Sequence, residues 1–228
     1  MSEETFDRIA AEYDESLPAH VVGHYLDKRT RYLVANSSPG PGLDIGCGTG
    51  VLAQRLATAG YEMTGLDPSE GMLEVLAERA PDVRAVRGSG TELPFEDASF
   101  DLVFTVAALH HIAEPEAVRT TLAEIVRVAR PQGRIVIWDH NPRNPYWKRL
   151  MARVPQDDGT ERLIPEAEVL GGLRSAGAVP IESRQLGLVP DFVPPALLRA
   201  AAAVERGAER TPGVRRLCAH NVVLATRS

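Results

Sequence analysis

The sequence predicts an α/β protein with a doubly wound, mostly parallel sheet of seven strands and one antiparallel strand near the C-terminus. Three observations predict it. Apolar runs of strand length alternate with amphipathic runs of helix length. Two strand runs, "SFDLVFTVAAL" and "GRIVIWD", are apolar almost without interruption, as strands covered on both faces are. A glycine-rich turn, "GCGTG", stands between the first strand and the helix after it.

In chain order, residues 4–35 read as helix in two pieces broken near Pro18 and stopped by "SSPGPG". A short strand ends at Ile45, and "TGVLAQRLATAG" follows as a helix closed by Gly60. "YEMTGLD" is the second strand and "SEGMLEVLAERA" a helix capped by Ser69. "DVRAVRG" and "SFDLVFTVAAL" are the third and fourth strands. Residues 115–129 make an amphipathic helix, and "GRIVIWD" is the fifth strand. Beyond the proline-rich "DHNPRNPYW", a helix near 166–176 leads into a weaker strand near 179–185. "HNVVLAT" is the last strand, with "PPALLRAAAAVERGAER" an inserted helix before it. That insertion breaks the β-α-β rhythm, which is why one antiparallel strand is expected late in the chain.

The length of 228 residues suits a single domain. Twenty-five basic against 31 acidic residues leave a net charge of −6, which argues against a nucleic-acid partner. Two cysteines, Cys47 and Cys218, make neither a disulfide framework nor a zinc site, and a reducing, cytoplasmic setting fits them. No run approaches the roughly 20 apolar residues of a membrane span, so no membrane partner is expected.

The glycine turn sets bare backbone and a helix N-terminus against a ligand. Asp67 ends the second strand 17 residues after Gly50, where a carboxylate accepts from a ribose diol. Together they point to a nucleoside-containing cofactor. The turn lacks the lysine of a phosphate-binding loop, and Val51 stands where a dinucleotide fingerprint has its third glycine. No cation follows until Arg55, so a phosphate-free cofactor carrying an amino-acid zwitterion fits best. A nicotinamide dehydrogenase, or a nucleoside-binding protein without catalysis, would share part of this pattern.

"LDIGCGTG", "GLDPSEGML", "ELPFEDASFDLV", "ALHHI" and "VARPQGRIVIWD" occur in an order and spacing that resembles the class I S-adenosylmethionine-dependent methyltransferases, most closely the type 11 group of bacterial small-molecule enzymes. The resemblance covers residues 5–140 and implies a Rossmann-like methyltransferase fold with S-adenosylmethionine as cofactor. It implies that Asp44, Gly46, Cys47, Gly48 and Gly50 hold the methionine end and Asp67 the ribose. Pro68 and Met72 would flank the adenine, Ser89, Gly90 and Thr91 would pass its other side, and Tyr13, Val106 and His111 would adjoin the cofactor. Ser89 replaces an aspartate common in relatives, which shifts adenine recognition toward Gly90 and Thr91. Gln132 replaces a turn glycine. The resemblance also implies a helical lid at 1–37, a cofactor core at 38–139, and a part at 140–228 whose insertions, 140–164 and 186–218, face the acceptor. Tyr146 and Trp147 are expected on that side.

A hydroxyl acceptor needs its proton removed, and a histidine oriented by a carboxylate suits that task. His110 and His111 follow the fourth strand and Asp139 ends the fifth, so these three are the candidate catalytic residues for O-methylation of a small molecule. Each has a plainer reading. A histidine here also lines a methyl channel or bonds backbone, Asp139 and His140 also cap a strand end, and Asp67 also caps a helix. N- or C-methylation by alignment alone is the alternative chemistry. Adjacent histidines on a strand end point to opposite faces, so no metal site is expected. Cys47 at a helix start is either a thiol of lowered pKa or a small filler.

Overall fold

The computed structural model describes residues 3–112, 114–154 and 159–228. Its sheet has seven strands: β1 (Pro41–Ile45), β2 (Glu62–Asp67), β3 (Arg84–Arg87), β4 (Phe100–Val106), β5 (Ala129–His140), β6 (Ala178–Leu186) and β7 (His220–Arg227). They lie in the order β3-β2-β1-β4-β5-β7-β6. β7 is antiparallel to both neighbours, and every other pairing is parallel, as expected from the sequence.

Period-two alternation drives the packing. Ile135, Ile137, Val223 and Ala225 enter one apolar layer, while Val136, Trp138, Val222 and Leu224 enter the other. Helices α5 (Pro115–Val128) and α7 (Glu166–Ser175) cover the first layer through Leu122, Ile125, Val169 and Leu173. Helices α2 (Ala19–Asn36), α3 (Val51–Thr58) and α4 (Glu70–Arg79) cover the second through Leu33, Leu56 and Leu76. Ser69 caps α4 by accepting from the Met72 N–H at 3.1 Å.

Three details differ from the sequence expectation. The first helical piece is split into α1 (Glu3–Ile9) and a 3₁₀ segment, Ala10–Glu15. A short helix, α6 (Tyr146–Met151), stands inside the stretch whose prolines read as loop. β5 starts at Ala129 and takes in a tight bend where Gln132 has φ +63°. Helix α8 (Leu198–Arg210) and the short α9 (Pro212–Arg215) fill the insertion before β7.

The order of strands reverses between β1 and β4, so the chain opens a crevice at their carboxyl ends. The glycine turn, the histidine pair and the end of β5 all lie there.

Candidate active site

Two cavities meet in this crevice. The smaller, about 330 Å³, is lined by Phe6, Asp67, Pro68, Met72, Ser89, Gly90, Thr91 and Thr105, among others. The larger, about 610 Å³, is lined by side chains of α2, the 144–154 segment, residues 188–192 and the end of β5. Tyr13, Gly46, Gly48, Ala107 and His111 line both and form the neck between them.

The neck is built from unusual backbone. Gly46 and Gly48 have φ +71° and +52°, and Ala107 has φ +54°, a conformation that costs an L-residue energy. The Gly46 and Cys47 N–H groups both donate to the Leu66 carbonyl, at 2.7 and 3.1 Å, which bends the chain sharply out of β1. A Cβ on Gly46 would lie 2.5 Å from that of Ala108, whereas one on Gly48 would meet nothing within 4 Å. Gly48 therefore presents open backbone to the cavity. Gly50, expected beside them at the methionine end, is placed differently. It lines neither cavity, and its left-handed turn packs on Leu76, which a Cβ would approach to 2.6 Å.

Charge is concentrated around the turn. Asp67 accepts from the Gly48 N–H at 2.9 Å and the Ser69 N–H at 3.0 Å, which fixes its carboxylate on the wall of the smaller cavity. The helix cap falls to Ser69 instead. Asp44 is buried on the larger cavity; burial, reinforced by Asp67, pushes its carboxyl up to about 8 although Arg29 opposes the shift. Burial likewise pushes the Cys47 thiol up, with Asp44 and Asp67 adding to it, so Cys47 is a packed filler on the cavity wall.

Arg29, on α2, was not legible in the sequence. Its guanidinium lies 5.8 Å from the Tyr25 ring centroid and 6.0 Å from that of Trp138, and its buried Nε has no hydrogen-bond partner. Desolvation lowers its pKa. Among the described residues Arg29 makes no ion pair, although Asp44 and Asp139 act on it electrostatically, and a half-buried cation so placed on a cavity wall can take an anion. Arg29, Asp44 and the open Gly48 backbone fit the zwitterionic end of an amino-acid cofactor. The orphaned Thr105 Oγ1 faces the smaller cavity in the same way.

The histidines sit on a 3₁₀ turn, Leu109–His111, and not on an extended strand end. Their rings therefore lie side by side, 4.0 Å between centroids, where the sequence reading put them on opposite faces. His110 Nδ1 is 2.8 Å from Asp139 Oδ1, and the His110 N–H donates to Oδ2 at 3.1 Å. Burial would raise the Asp139 pKa, but His110 and the His140 N–H outweigh it and hold the carboxylate below its ordinary range. Asp139 lines neither cavity, so it is a positioning group behind His110. His140 stacks on His110 at 4.1 Å and on Trp147 at 3.5 Å. Burial first, then the neighbouring histidines led by His110, pushes His140 well down; burial first, then Arg29, brings His220 down to about 3, so both are neutral near pH 7.

His110, Asp139 and His140 bring ligand atoms within 4.8 Å of one another. The His110 and His140 rings are only 18° from parallel, however, so their lone pairs run side by side instead of converging on one point. Of the other expected residues, Ser89 accepts from the Thr91 N–H at 3.2 Å, Val106 lines the larger cavity, and Tyr146 and Trp147 do so too. Asp7 and Asp14 hold the first residues over the crevice: Asp7 accepts from Ser69 Oγ at 2.6 Å and Asp14 from Thr49 Oγ1 at 2.9 Å.

The chain is similar to known methyltransferases. The family model described as "Methyltransferase domain" matches residues 43–137. A protein of Renibacterium salmoninarum named demethylmenaquinone methyltransferase is 35% identical over 72% of this chain and 71% of its own length. One of the same name from Paenarthrobacter aurescens is 34% identical over 63% of this chain, which spans 60% of it. Among solved structures, a Thermotoga maritima protein described as a "SAM-dependent methyltransferase, possible histamine N-methyltransferase" superimposes with a TM-score of 0.72, at 20% identity and with 99% of each chain covered. Among the described residues, no helix is long and apolar enough to cross a membrane.

Proposed function

The chain belongs to the class I S-adenosylmethionine-dependent methyltransferases, and from that membership we propose how its two cavities divide the reaction. It is an enzyme that moves a methyl group from S-adenosylmethionine to a small molecule. In our reading the smaller cavity takes the adenosine. Asp67 accepts from the ribose hydroxyls, Pro68 and Met72 flank the base, and Ser89, Gly90 and Thr91 edge it. Asp44 faces the ammonium and Arg29 the carboxylate of the methionine end, across the bare Gly48.

Bound there, the cofactor supplies an electrophilic methyl on a positively charged sulfur. The protein's own work is alignment and proton removal. The neck at Tyr13, Ala107 and His111 sets the line between donor and acceptor. The acceptor occupies the larger cavity with a hydroxyl toward His110. Asp139 holds His110 Nδ1, so Nε2 would take the proton that the hydroxyl gives up on methylation, and the carboxylate would stabilise the resulting imidazolium. His140 and Trp147 keep the ring in that plane by stacking.

The observation that carries this reading is the His110–Asp139 pair opening on a cavity that joins the nucleoside site through a five-residue neck. The test is turnover to S-adenosylhomocysteine with a panel of hydroxylated acceptors, followed by locating the new methyl by mass spectrometry and NMR. An O-methyl product that needs His110 supports it. A second reading, N- or C-methylation by alignment alone, draws support from the relatives named for a demethylmenaquinone acceptor. In that case His110→Ala leaves the transfer rate unchanged.

A further inference from the structure

We propose that the exposed face of residues 192–217 docks on an anionic lipid surface and admits an apolar acceptor from it to the larger cavity. The second half of this rests on the reading of that cavity as the acceptor chamber.

Five of the eight large apolar side chains left exposed among the described residues fall in this 26-residue stretch: Phe192, Leu197, Val204, Val214 and Leu217. Such clustering marks an interaction surface, whereas single exposed apolar residues do not. Phe192 is 69% and Leu217 52% exposed, yet both also line the larger cavity, so they stand at its mouth. The apolar surface is therefore continuous with the chamber.

The same stretch carries five arginines and two glutamates in a chain whose net charge is −6. Both glutamates are taken up by Lys28: Glu205 and Glu209 each pair with its ammonium. Among the described residues, Arg199, Arg206, Arg210, Arg215 and Arg216 have no ionic partner. On α8, Arg199, Arg206 and Arg210 recur at i, i+7 and i+11 along one edge of the exposed arc. Exposed Ala200, Ala203 and Gly207 floor it, and Val204 forms the other edge.

A cationic edge beside an apolar one is what a phosphate-bearing bilayer surface satisfies as a whole. A nucleic acid would satisfy only the arginines, and an apolar protein face only the other edge. Docking of this kind departs from the sequence expectation of no membrane partner, but it needs no spanning segment.

The test is vesicle flotation of the full chain with phosphatidylglycerol–phosphatidylcholine vesicles and with phosphatidylcholine alone. Capture by the anionic vesicles only is expected. Replacing Arg199, Arg206 and Arg210 together by Glu should weaken capture on the order of 100-fold. Replacing Leu197 and Val204 together by Ser should weaken it on the order of tenfold or more. Calorimetric affinity for S-adenosylmethionine, unchanged in both variants, certifies that they are folded. Turnover of a water-soluble acceptor tests the chamber reading separately. The proposal is overturned by folded wild-type protein that stays off anionic vesicles, by capture that neither variant weakens, or by duplex DNA displacing the vesicles while the Leu197→Ser/Val204→Ser variant still binds them like wild type.

Discussion

His110 and Asp139, 29 residues apart in the chain, are joined by two hydrogen bonds: ring Nδ1 to Oδ1 at 2.8 Å and backbone N–H to Oδ2 at 3.1 Å. One carboxylate thus fixes both the position of the turn and the orientation of its imidazole. Asp139 is buried and its Oδ1 also accepts from the His140 N–H at 2.6 Å, so three donors hold the carboxylate in place.

Asp139→Asn keeps the side-chain volume but puts an N–H donor where one of the two bonds needs an acceptor. We expect kcat to fall by about 10²-fold or more, the range over which a positioned base contributes. Affinity for S-adenosylmethionine should stay within a factor of a few. Steady-state kinetics and calorimetry on the same preparation check both halves, and unchanged kcat would remove the base from the mechanism.

Arg29→Met should move two measurements in opposite directions. Cofactor affinity should drop by about 10- to 100-fold, corresponding to the roughly 1.5–3 kcal/mol of a charge-assisted hydrogen bond. The ligand-free protein should gain thermal stability, because a desolvated guanidinium with no ion pair among the described residues is replaced by an apolar chain. A fall in both would mean that Arg29 serves packing alone.

Asp44 makes cofactor binding depend on pH. With its carboxyl pushed up to about 8, it is protonated in the ligand-free protein at neutral pH, and facing an ammonium requires the ionised form. Affinity should therefore rise about tenfold per pH unit up to about pH 8 and level off above, with one proton released per site below it. Calorimetry in buffers of different ionisation enthalpy counts that proton. A flat profile contradicts the assignment of Asp44 to the ammonium.

Glu205 ties α8 to the 188–189 backbone, accepting from the Leu188 and Val189 N–H groups at 2.6 and 3.2 Å and from His24 at 2.8 Å. Burial would raise its pKa, but His24, Lys28 and the Leu188 N–H outweigh it and bring it from 4.5 down to about 2. Its stabilisation is complete above pH 4.5 and is lost as pH falls through about 2. Glu205→Ala should cost about 3–5 kcal/mol at pH 7, and the gap to wild type should close across that acid window. Denaturant titrations at three pH values test the slope.

Gln132→Gly should stabilise the protein. Gln132 holds φ +63°, which costs an L-residue about 1–2 kcal/mol that glycine does not pay. The gain is offset in part by the freer unfolded chain, so a rise of a few degrees in Tm is expected. Activity should not change.

What the sequence determined by itself was whatever is written in local periodicity and spacing. Alternation of Ile135, Val136, Ile137 and Trp138 declares a strand buried on both faces, and the spacing from Gly46 to Asp67 declares a nucleoside crevice. Only the tertiary structure decided which side chains close that crevice. Nothing near Arg29, in an ordinary amphipathic helix, says that folding will bury its Nε without a hydrogen-bond partner on a cavity wall. Nothing near Ala107 announces a left-handed residue in the neck, and the two histidines read as strand neighbours because the 3₁₀ turn is held from a distance by Asp139. Desolvation and convergence belong to the packed state: they depend on elements far apart in the chain meeting at one sheet end, and no local pattern encodes that meeting.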